Sequence, residues 1–217
     1  MRCRFAFVTL VLFATTVLAD DRGITVRFRK DDLGKTPAGW KVEKTGKEEG
    51  SDWKVVTDES APSKTGYALA QLAKSPGKIF NLCVADEPRL KDVEVSVAFK
   101  AVEGKEDRGG GIVWRYQDAD NYYIARMNPL EDNFRVYKVE NGKRTQFQTV
   151  DIKVPSGEWH ALKIKMTGDH IECFLDGKKH LDVNDRTVDK PDALASGLKP
   201  THRRISINSP YRENKSV

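Results

Sequence analysis

Residues 110–151 read GGIVWRYQDADNYYIARMNPLEDNFRVYKVENGKRTQFQTVD, a stretch in which apolar and polar residues alternate. The period of two is that of a β-strand, whose successive side chains point to opposite faces of a sheet. Short runs of Asp, Asn, Pro and Gly interrupt the alternation, as turn residues do. The stretch therefore predicts four consecutive antiparallel strands: Gly110–Gln117, Asn121–Asn128, Asn133–Glu140 and Thr145–Asp151.

The turns between these strands predict which residues lie opposite each other. Asn141-Gly142 is typical of a two-residue hairpin loop, and residues 118–121 and 129–132 fit four-residue loops. The resulting pairs are Tyr137 with Gln146, Val136 with Phe147, Arg135 with Gln148, Arg126 with Arg135, and Asn128 with Asn133.

One face of this predicted sheet is apolar. It carries Ile112, Trp114, Tyr116, Tyr123, Ala125, Met127, Phe134, Val136 and Phe147. Because all these side chains point to the same face of the sheet, they favour a buried core over a sugar-stacking surface. Two later segments, Trp159–Thr167 and His170–Leu175, carry a matching apolar set that we expect to form the opposing core layer: Leu162, Ile164, Met166, Ile171, Cys173 and Leu175.

Further strands are predicted before residue 110, and no segment has helical periodicity. Their bounds are Ile24–Arg29, Trp53–Thr57, Tyr67–Leu72, Phe80–Ala85 and Val93–Ala101. Many short strands joined by tight turns are typical of two antiparallel sheets packed face to face. The fold class is therefore all-β, an antiparallel β-sandwich or jelly roll.

The other face of the four-strand sheet is polar, and it is the candidate binding surface. It carries Arg115, Tyr122, Arg126, Asn128, Asn133, Arg135, Tyr137, Gln146 and Gln148. Like charges directly opposite each other destabilise a sheet, so the arginines need a partner. Surface ion pairs with Glu131, Asp132, Glu94 or Glu172 would supply one. A carbohydrate ligand is the other interpretation, because guanidinium and amide groups hydrogen-bond hydroxyls.

The two ends of the chain differ from its body. Arg2 and Arg4 precede an apolar run that ends at Ala19, which is the order of a signal peptide. We expect cleavage after Ala19, a secreted or periplasmic product without membrane association, and one domain over residues 20–197. The net charge of +5 arises from basic ends on a nearly neutral body, which argues against a nucleic-acid partner. The oligomeric state is not predicted.

No cofactor or metal is predicted. Cys83 and Cys173 would remain after cleavage, and the sequence leaves open whether they pair or stay as free thiols. The loop Asp118–Asn121 is rich in oxygen and has the ligand chemistry of a divalent cation such as calcium. Asx turns account for the same residues, and no calcium-binding spacing follows.

Four stretches resemble secreted bacterial members of the 3-keto-disaccharide hydrolase domain family, whose fold is concanavalin A-like. They are Arg108–Tyr123, Asn128–Asn133, Gly157–His160 and Phe174–Lys178, and the resemblance extends over about Ile24 to Asp189. It implies a twisted sandwich with a concave sugar-facing surface. The paired carboxylates of a retaining glucanase, Glu-x-Asp-x-x-Glu, do not occur in the sequence.

The resemblance implies cleavage of a glycosidic bond in a sugar oxidised at C3, by elimination and hydration. Such a reaction needs a base, for which Glu131, Asp132 and His160 are candidates, and a stabiliser of the enolate oxygen, for which the arginines are candidates. Family members share a glycine-tyrosine-glutamate segment, but Asn121–Arg126 has no carboxylate. A non-catalytic carbohydrate-binding module and a laminin G-like interaction domain are therefore the alternatives.

Residues 198–217 depart from the family pattern, which closes on an aromatic, aspartate-rich strand. The segment here is basic and interrupted by prolines, so we expect an atypical tail that makes a poor central strand. A shifted reading frame is one hypothesis, and a genuine tail on a complete sheet is the other.

Overall fold

The computed structural model describes residues 24–75, 78–87, 89–104 and 107–188, together with the backbone of 203–207. Apart from one 3₁₀ turn at Lys30–Asp32, the regular structure in these residues consists of fourteen β-strands. The strands are β1 (Ile24–Val26), β2 (Trp40–Thr45), β3 (Trp53–Thr57), β4 (Tyr67–Gln71), β5 (Phe80–Ala85), β6 (Val93–Lys100), β7 (Gly110–Asp118), β8 (Asn121–Asn128), β9 (Asn133–Glu140), β10 (Lys143–Asp151), β11 (Trp159–Thr167), β12 (His170–Leu175), β13 (Lys178–Asn184) and β14 (Arg203–Ile207).

Two sheets form the sandwich. The six-stranded sheet has the order β1-β14-β6-β11-β12-β13, and the four-stranded sheet has the order β10-β9-β8-β7. Two further strand pairs, β2-β5 and β3-β4, complete the described architecture. Neighbours are antiparallel except for β14, which is parallel to both β1 and β6. The all-β sandwich predicted from the sequence is confirmed.

The main core lies between the two sheets, because each sheet turns its apolar face towards the other. Both predicted layers meet there, with Tyr116 as the exception; Phe147 is only partly buried. In the hairpin β11-β12, Leu162 lies opposite Leu175 and Ile164 lies opposite Cys173. Trp114 and Tyr123 stack with ring centroids 5.6 Å apart.

A second, smaller core covers part of the outer face of the four-stranded sheet. Leu82 on β5 packs there with Tyr122 and Val139. Thr45 Oγ1 at the end of β2 lies 2.7 Å from Tyr122 Oη, and it also donates to the carbonyl oxygen of Ala119. The β2-β5 pair therefore covers the start of β8, where Tyr122 lies, and Tyr122 is buried instead of offering its ring to a ligand.

A β-bulge at Phe147 changes the predicted register of β9 and β10. Tyr137 lies opposite Gln146 as predicted, but beyond the bulge Gln148 lies opposite Val136. The predicted pairs Val136–Phe147 and Arg135–Gln148 are therefore wrong. Because a bulge inserts one extra residue, each later side chain moves to the other face, and Thr149 takes the place opposite Arg135.

A second irregularity lies in β7 between Trp114 and Asp118. Arg115 has a φ of 45° there, in the left-handed region. Beyond it, Tyr116 packs against Tyr122 on the outer face instead of entering the main core. The predicted inward position of Tyr116 is therefore wrong: between the pairs Trp114–Tyr123 and Asp118–Asn121, three residues of β7 lie opposite one residue of β8, and the alternation of the strand is broken.

Three strands were not predicted: β2, β13 and β14. β13 is a largely exposed edge strand, and β14 lies in the segment 198–217, which is expected to be an atypical tail. Contrary to that expectation, residues 203–207 form a central strand between β1 and β6. The shifted reading frame stays a hypothesis about the gene.

Several expectations fall outside the described residues. The predicted signal peptide, residues 1–19, lies outside the residues that the structure describes, and so does most of the segment 198–217. In the part of the chain that the structure describes, no helix has the length and apolar character needed to span a membrane. Cys83 on β5 and Cys173 on β12 are both free thiols.

Candidate functional site

Arg126 lies on β8, on the outer face of the four-stranded sheet, between β7 and β9. It lies directly opposite Arg135, as predicted, and only 7% of its surface is exposed. Its Nη2 donates to Asp107 Oδ1 at 2.7 Å, and its Nη1 lies 3.7 Å from Glu131 Oε2. Glu131 Oε2 also accepts from Arg135 Nη1 at 3.1 Å. The two carboxylates therefore offset the repulsion between the two arginines.

The electrostatics of these groups follow from burial and from mutual contact. Burial would lower the pKa of Arg126, but the hydrogen bond from its guanidinium to Asp107 and the charges of Asp107 and Glu131 raise it overall. The pKa of Glu131 is lowered, first by the hydrogen bond from Asn133 and then by the two arginines, although partial burial opposes them. Arg126 and Glu131 are therefore both held in their charged forms.

Two asparagines and one tyrosine beside Arg126 are almost fully buried, with 0% of Asn128, 1% of Asn133 and 3% of Tyr137 exposed. Asn128 Oδ1 accepts from the amide of Leu130, and Asn133 Nδ2 donates to Glu131. Among the residues that the structure describes, Asn128 Nδ2, Asn133 Oδ1 and Tyr137 Oη have no hydrogen-bond partner. Buried polar atoms without a partner are costly, so they indicate a place for water or a ligand.

We call this group the Arg126 cluster. It consists of Asp107, Arg126, Asn128, Glu131, Asn133, Arg135 and Tyr137. The fold brings it together because the polar side chains of β8 and β9 share one face, and because the loop before β7 places Asp107 against that face. Chemically, the cluster offers forked donors, carboxylate acceptors, amides and a phenol to a ligand.

Three of the predicted surface residues lie elsewhere. Arg115 donates through Nε to the carbonyl oxygen of Lys91 at 2.9 Å and through Nη2 to that of Gly168. Tyr122 is buried beneath β2, and Gln148 accepts a hydrogen bond from the backbone amide of Asp182. The two bulges explain why Arg115 and Gln148 lie away from the predicted surface, and the cover by β2 explains why Tyr122 is buried.

The remaining candidates have different positions. Gln146 is exposed and lies opposite Tyr137 at the side of the cluster, and Asp132 is an exposed turn residue. His160 lies on β11 in the other sheet, opposite Phe99. Its Nδ1 is 2.8 Å from Asp176 Oδ2, and its Nε2 is buried and has no partner among the described residues. Of the three proposed bases, only Glu131 belongs to the Arg126 cluster.

Asp107 is the member of the cluster that the sequence did not predict. It belongs to the segment Asp107–Gly111, whose glycines indicate a sharp turn before β7. An aspartate two residues before a glycine in such a turn is a signal for an Asx turn, but the contact with Arg126 depends on tertiary structure.

Two groups of residues have the chemistry of metal ligands. Asp118 accepts hydrogen bonds from the amide of Asp120 and from Asn121 Nδ2, so an Asx turn accounts for this loop. His170, Glu172 and Asp182 offer ligand atoms within 4.8 Å of one another. Lys179 Nζ donates to both carboxylates of that group, at 3.0 and 2.7 Å, and its ammonium compensates their charge.

The fold and the cluster together define a β-sandwich protein with a largely buried polar cluster on the outer face of the four-stranded sheet. The family model of the 3-keto-alpha-glucoside-1,2-lyase-like domain matches residues 25–210, and the chain belongs to this family. The match includes β14, the last described strand.

A solved structure with a similar fold is the carbohydrate binding module CBM66 from Bacillus subtilis. The TM-score is 0.50 at 21% sequence identity, and the alignment covers 68% of this chain and 80% of that chain. At this identity the similarity bears on the fold alone. None of the curated proteins matches the sequence.

Proposed function

We propose that the Arg126 cluster binds an uncharged glycoside, and that a 3-keto-glucoside is its ligand. The observation that carries this proposal is the set of three buried, unpartnered polar atoms around a fixed guanidinium. They comprise one donor, one acceptor and one hydroxyl that can act as either, which is the mixture that sugar hydroxyls complement. Membership of the 3-keto-alpha-glucoside-1,2-lyase-like family supports the 3-keto sugar as the ligand to test.

The charge of the cluster supports an uncharged ligand. Arg126 and Arg135 carry two positive charges, and Asp107 and Glu131 carry two negative charges in contact with them. A uronate would have to compete with these carboxylates for the same guanidinium groups. A neutral sugar can instead accept from the guanidinium donors that the ion pairs leave unused.

A second function, cleavage of the bound 3-keto-glucoside, is favoured by the family match. The C3 ketone acidifies the proton on C2, and a base removes it. The electron pair of that C–H bond forms an enolate with its charge on the C3 oxygen. Collapse of the enolate breaks the bond between C1 and the leaving oxygen, which takes a proton, and water then adds to the C1–C2 double bond.

Within the cluster, Arg126 is suited to stabilise the enolate oxygen, because its charge is fixed before the reaction. Glu131 is the candidate base that belongs to the cluster, but its lowered pKa makes it a weak base. Asp132 is exposed beside it in the same turn and is the alternative. Both residues are therefore to be replaced singly.

Calorimetric titration of the folded protein with a 3-keto-glucoside, the parent glucoside and a glucuronide tests the binding proposal. We expect the 3-keto-glucoside to bind, the glucuronide to be rejected and Arg126→Ala to abolish binding. Arg186→Ala is the matched control, since this arginine pairs with Asp169 and its side chain is 81% exposed. A folded protein that binds none of these sugars would refute the proposal and favour a laminin G-like interaction domain.

Mass spectrometry of the same mixtures tests cleavage. Release of 3-keto-glucose from the keto form alone, and its loss in Glu131→Gln or Asp132→Asn, would identify an enzyme and its base. Binding of the 3-keto-glucoside without release of 3-keto-glucose would indicate a non-catalytic carbohydrate-binding module.

The predicted signal peptide supports a secreted or periplasmic location for this function. We expect the exported protein to begin at Asp20, and intact-mass measurement checks it. An exported protein that retains residues 1–19 would contradict cleavage after Ala19.

A further inference from the structure

Asp107 makes two hydrogen bonds with one oxygen. Its Oδ1 accepts from the backbone amide of Gly109 at 2.7 Å and from Arg126 Nη2 at 2.7 Å. The first bond closes an Asx turn, and the second joins that turn to the guanidinium. The carboxylate is therefore held by its own loop and by Arg126 at the same oxygen.

Gly109 packs directly against the same guanidinium. A Cβ placed on Gly109 would lie 2.3 Å from Arg126 Nε, 2.9 Å from its Cζ and 3.0 Å from its Nη2. These separations are shorter than van der Waals contacts, so any side chain at this position would displace the guanidinium. The close approach of backbone to arginine is possible only because residue 109 is glycine.

Arg108, between these two residues, makes further hydrogen bonds. Arg108 donates through Nε and Nη2 to the carbonyl oxygen of Gly104, at 3.2 and 3.0 Å, and through Nη1 to Ser156 Oγ at 3.1 Å. Arg108 and Asp107 thus bind in different directions. Hydrogen bonds of Arg108 and Asp107 therefore tie residues 107–109 to Gly104 and Ser156 as well as to Arg126.

We infer that Asp107 and Gly109 are positioning residues that fix the orientation of the Arg126 guanidinium for its ligand. This inference rests on the proposed function of the Arg126 cluster. Asp107 sets the guanidinium through Nη2, and Gly109 supports it along Nε and Cζ. An arginine held in this way loses little side-chain entropy when a ligand binds, and such pre-organisation raises affinity.

Nuclear magnetic resonance tests the inference without any sugar. The Nε–Hε signal of Arg126 is identified by its absence in Arg126→Ala, and its exchange with water reports how firmly the guanidinium is held. We expect Asp107→Asn and Gly109→Ala to shift this signal and to speed its exchange. Asp118→Asn is the matched control, because Asp118 makes the same turn with Asp120 at the opposite end of β7. An unchanged Arg126 signal in both variants would overturn the inference.

A double-mutant cycle separates positioning from general stability. If Gly109 acts through the guanidinium, Gly109→Ala lowers the thermal midpoint in the native protein and has no further effect in Arg126→Ala. Equal effects in both backgrounds would mean that Gly109 acts only through the backbone, and would refute its positioning role.

Binding of the 3-keto-glucoside supplies the functional measurement. We expect Gly109→Ala to weaken binding by about tenfold and Asp107→Asn by about fivefold, with Asp118→Asn unchanged. If the native protein binds no sugar, the proposed function fails while the nuclear magnetic resonance result still decides the positioning. If it binds and neither variant weakens binding, the inference fails alone.

Discussion

At the scale of single residues, Arg115 and Arg126 have similar burial and different tasks. Their side chains are 5% and 8% exposed. Arg115 joins the four-stranded sheet to backbone carbonyls that flank β6 and β12 of the six-stranded sheet, whereas Arg126 lies on the outer face. The difference arises from the left-handed φ of Arg115, which turns its side chain away from the position that strict alternation predicts.

Replacing Arg115 therefore tests the corrected position. We expect Arg115→Ala to reduce the free energy of unfolding by about 1–3 kcal/mol, because the carbonyls of Lys91 and Gly168 lose a charged donor. Sugar binding by the folded variant should stay unchanged. Chemical denaturation and calorimetric titration measure the two quantities. If the Arg115→Ala protein lost sugar binding at unchanged stability, Arg115 would belong to the binding surface and the corrected position would be wrong.

Glu131 makes the stability of the protein depend on pH. Its pKa is lower in the folded protein than in the free residue, so the unfolded state binds more protons as the pH falls. The stability from Glu131 is therefore complete above the ordinary glutamate pKa and is lost as the pH falls through the folded value. Solvent screening keeps the effect modest, since the side chain is 40% exposed.

We expect Glu131→Gln to flatten the acid side of a plot of unfolding free energy against pH, at values below the ordinary glutamate pKa. Glu158→Gln, at an exposed position outside the cluster, is the control. Denaturation curves between neutral and acid pH measure the effect. An identical acid slope in Glu131→Gln and the native protein would contradict the assigned ion pairs.

At the scale of elements, β7 determines how the polar surface is built. It begins at two glycines and ends after a bulge, so its central residues Ile112 and Trp114 face the main core while Tyr116 faces outward. Gly111 lies opposite Arg126 in the ladder, and a Cβ there would be 1.8 Å from the carbonyl oxygen of Ala125. That oxygen belongs to the backbone of β8 and cannot move without breaking the pairing.

We expect Gly111→Ala to reduce the free energy of unfolding by at least about 2 kcal/mol, because the methyl group would separate β7 from β8. Gly168→Ala is the matched control: no atom lies within 4 Å of its added Cβ, so only its left-handed φ is penalised, at about 1 kcal/mol. Urea denaturation compares the two variants. A Gly111→Ala protein as stable as Gly168→Ala would show that β7 and β8 are not paired in this register.

At the scale of the whole molecule, the last described strand completes the sandwich. β14 lies between β1 and β6, so it connects the first strand of the chain to the centre of the six-stranded sheet. Without it, β6 would become an unpaired edge and β1 would lose its neighbour in the sheet. The basic composition around it does not prevent this, because the ladder uses backbone groups that every residue except proline supplies.

Proline at position 205 tests this arrangement. Ile205 pairs with Ile24 on one side and Val95 on the other, so proline removes a ladder hydrogen bond whichever side its amide faces. We expect Ile205→Pro to destabilise the protein by about 3 kcal/mol or more, and Ile205→Val to remain close to native. Thermal unfolding measures both. Native stability in Ile205→Pro would refute the central position of β14.

The sequence by itself determined the elements with strong alternation, the apolar face of β8 and β9, and the opposition of Arg126 and Arg135, because the two-residue period and the hairpin turns are local properties of the chain. The tertiary structure decided the rest. Tertiary packing decided the bulges at Arg115 and Phe147. It also brought together segments that are distant in sequence, as in the cover of β2 over Tyr122 and the contact of Asp107 with Arg126. Local periodicity contains no information about such contacts.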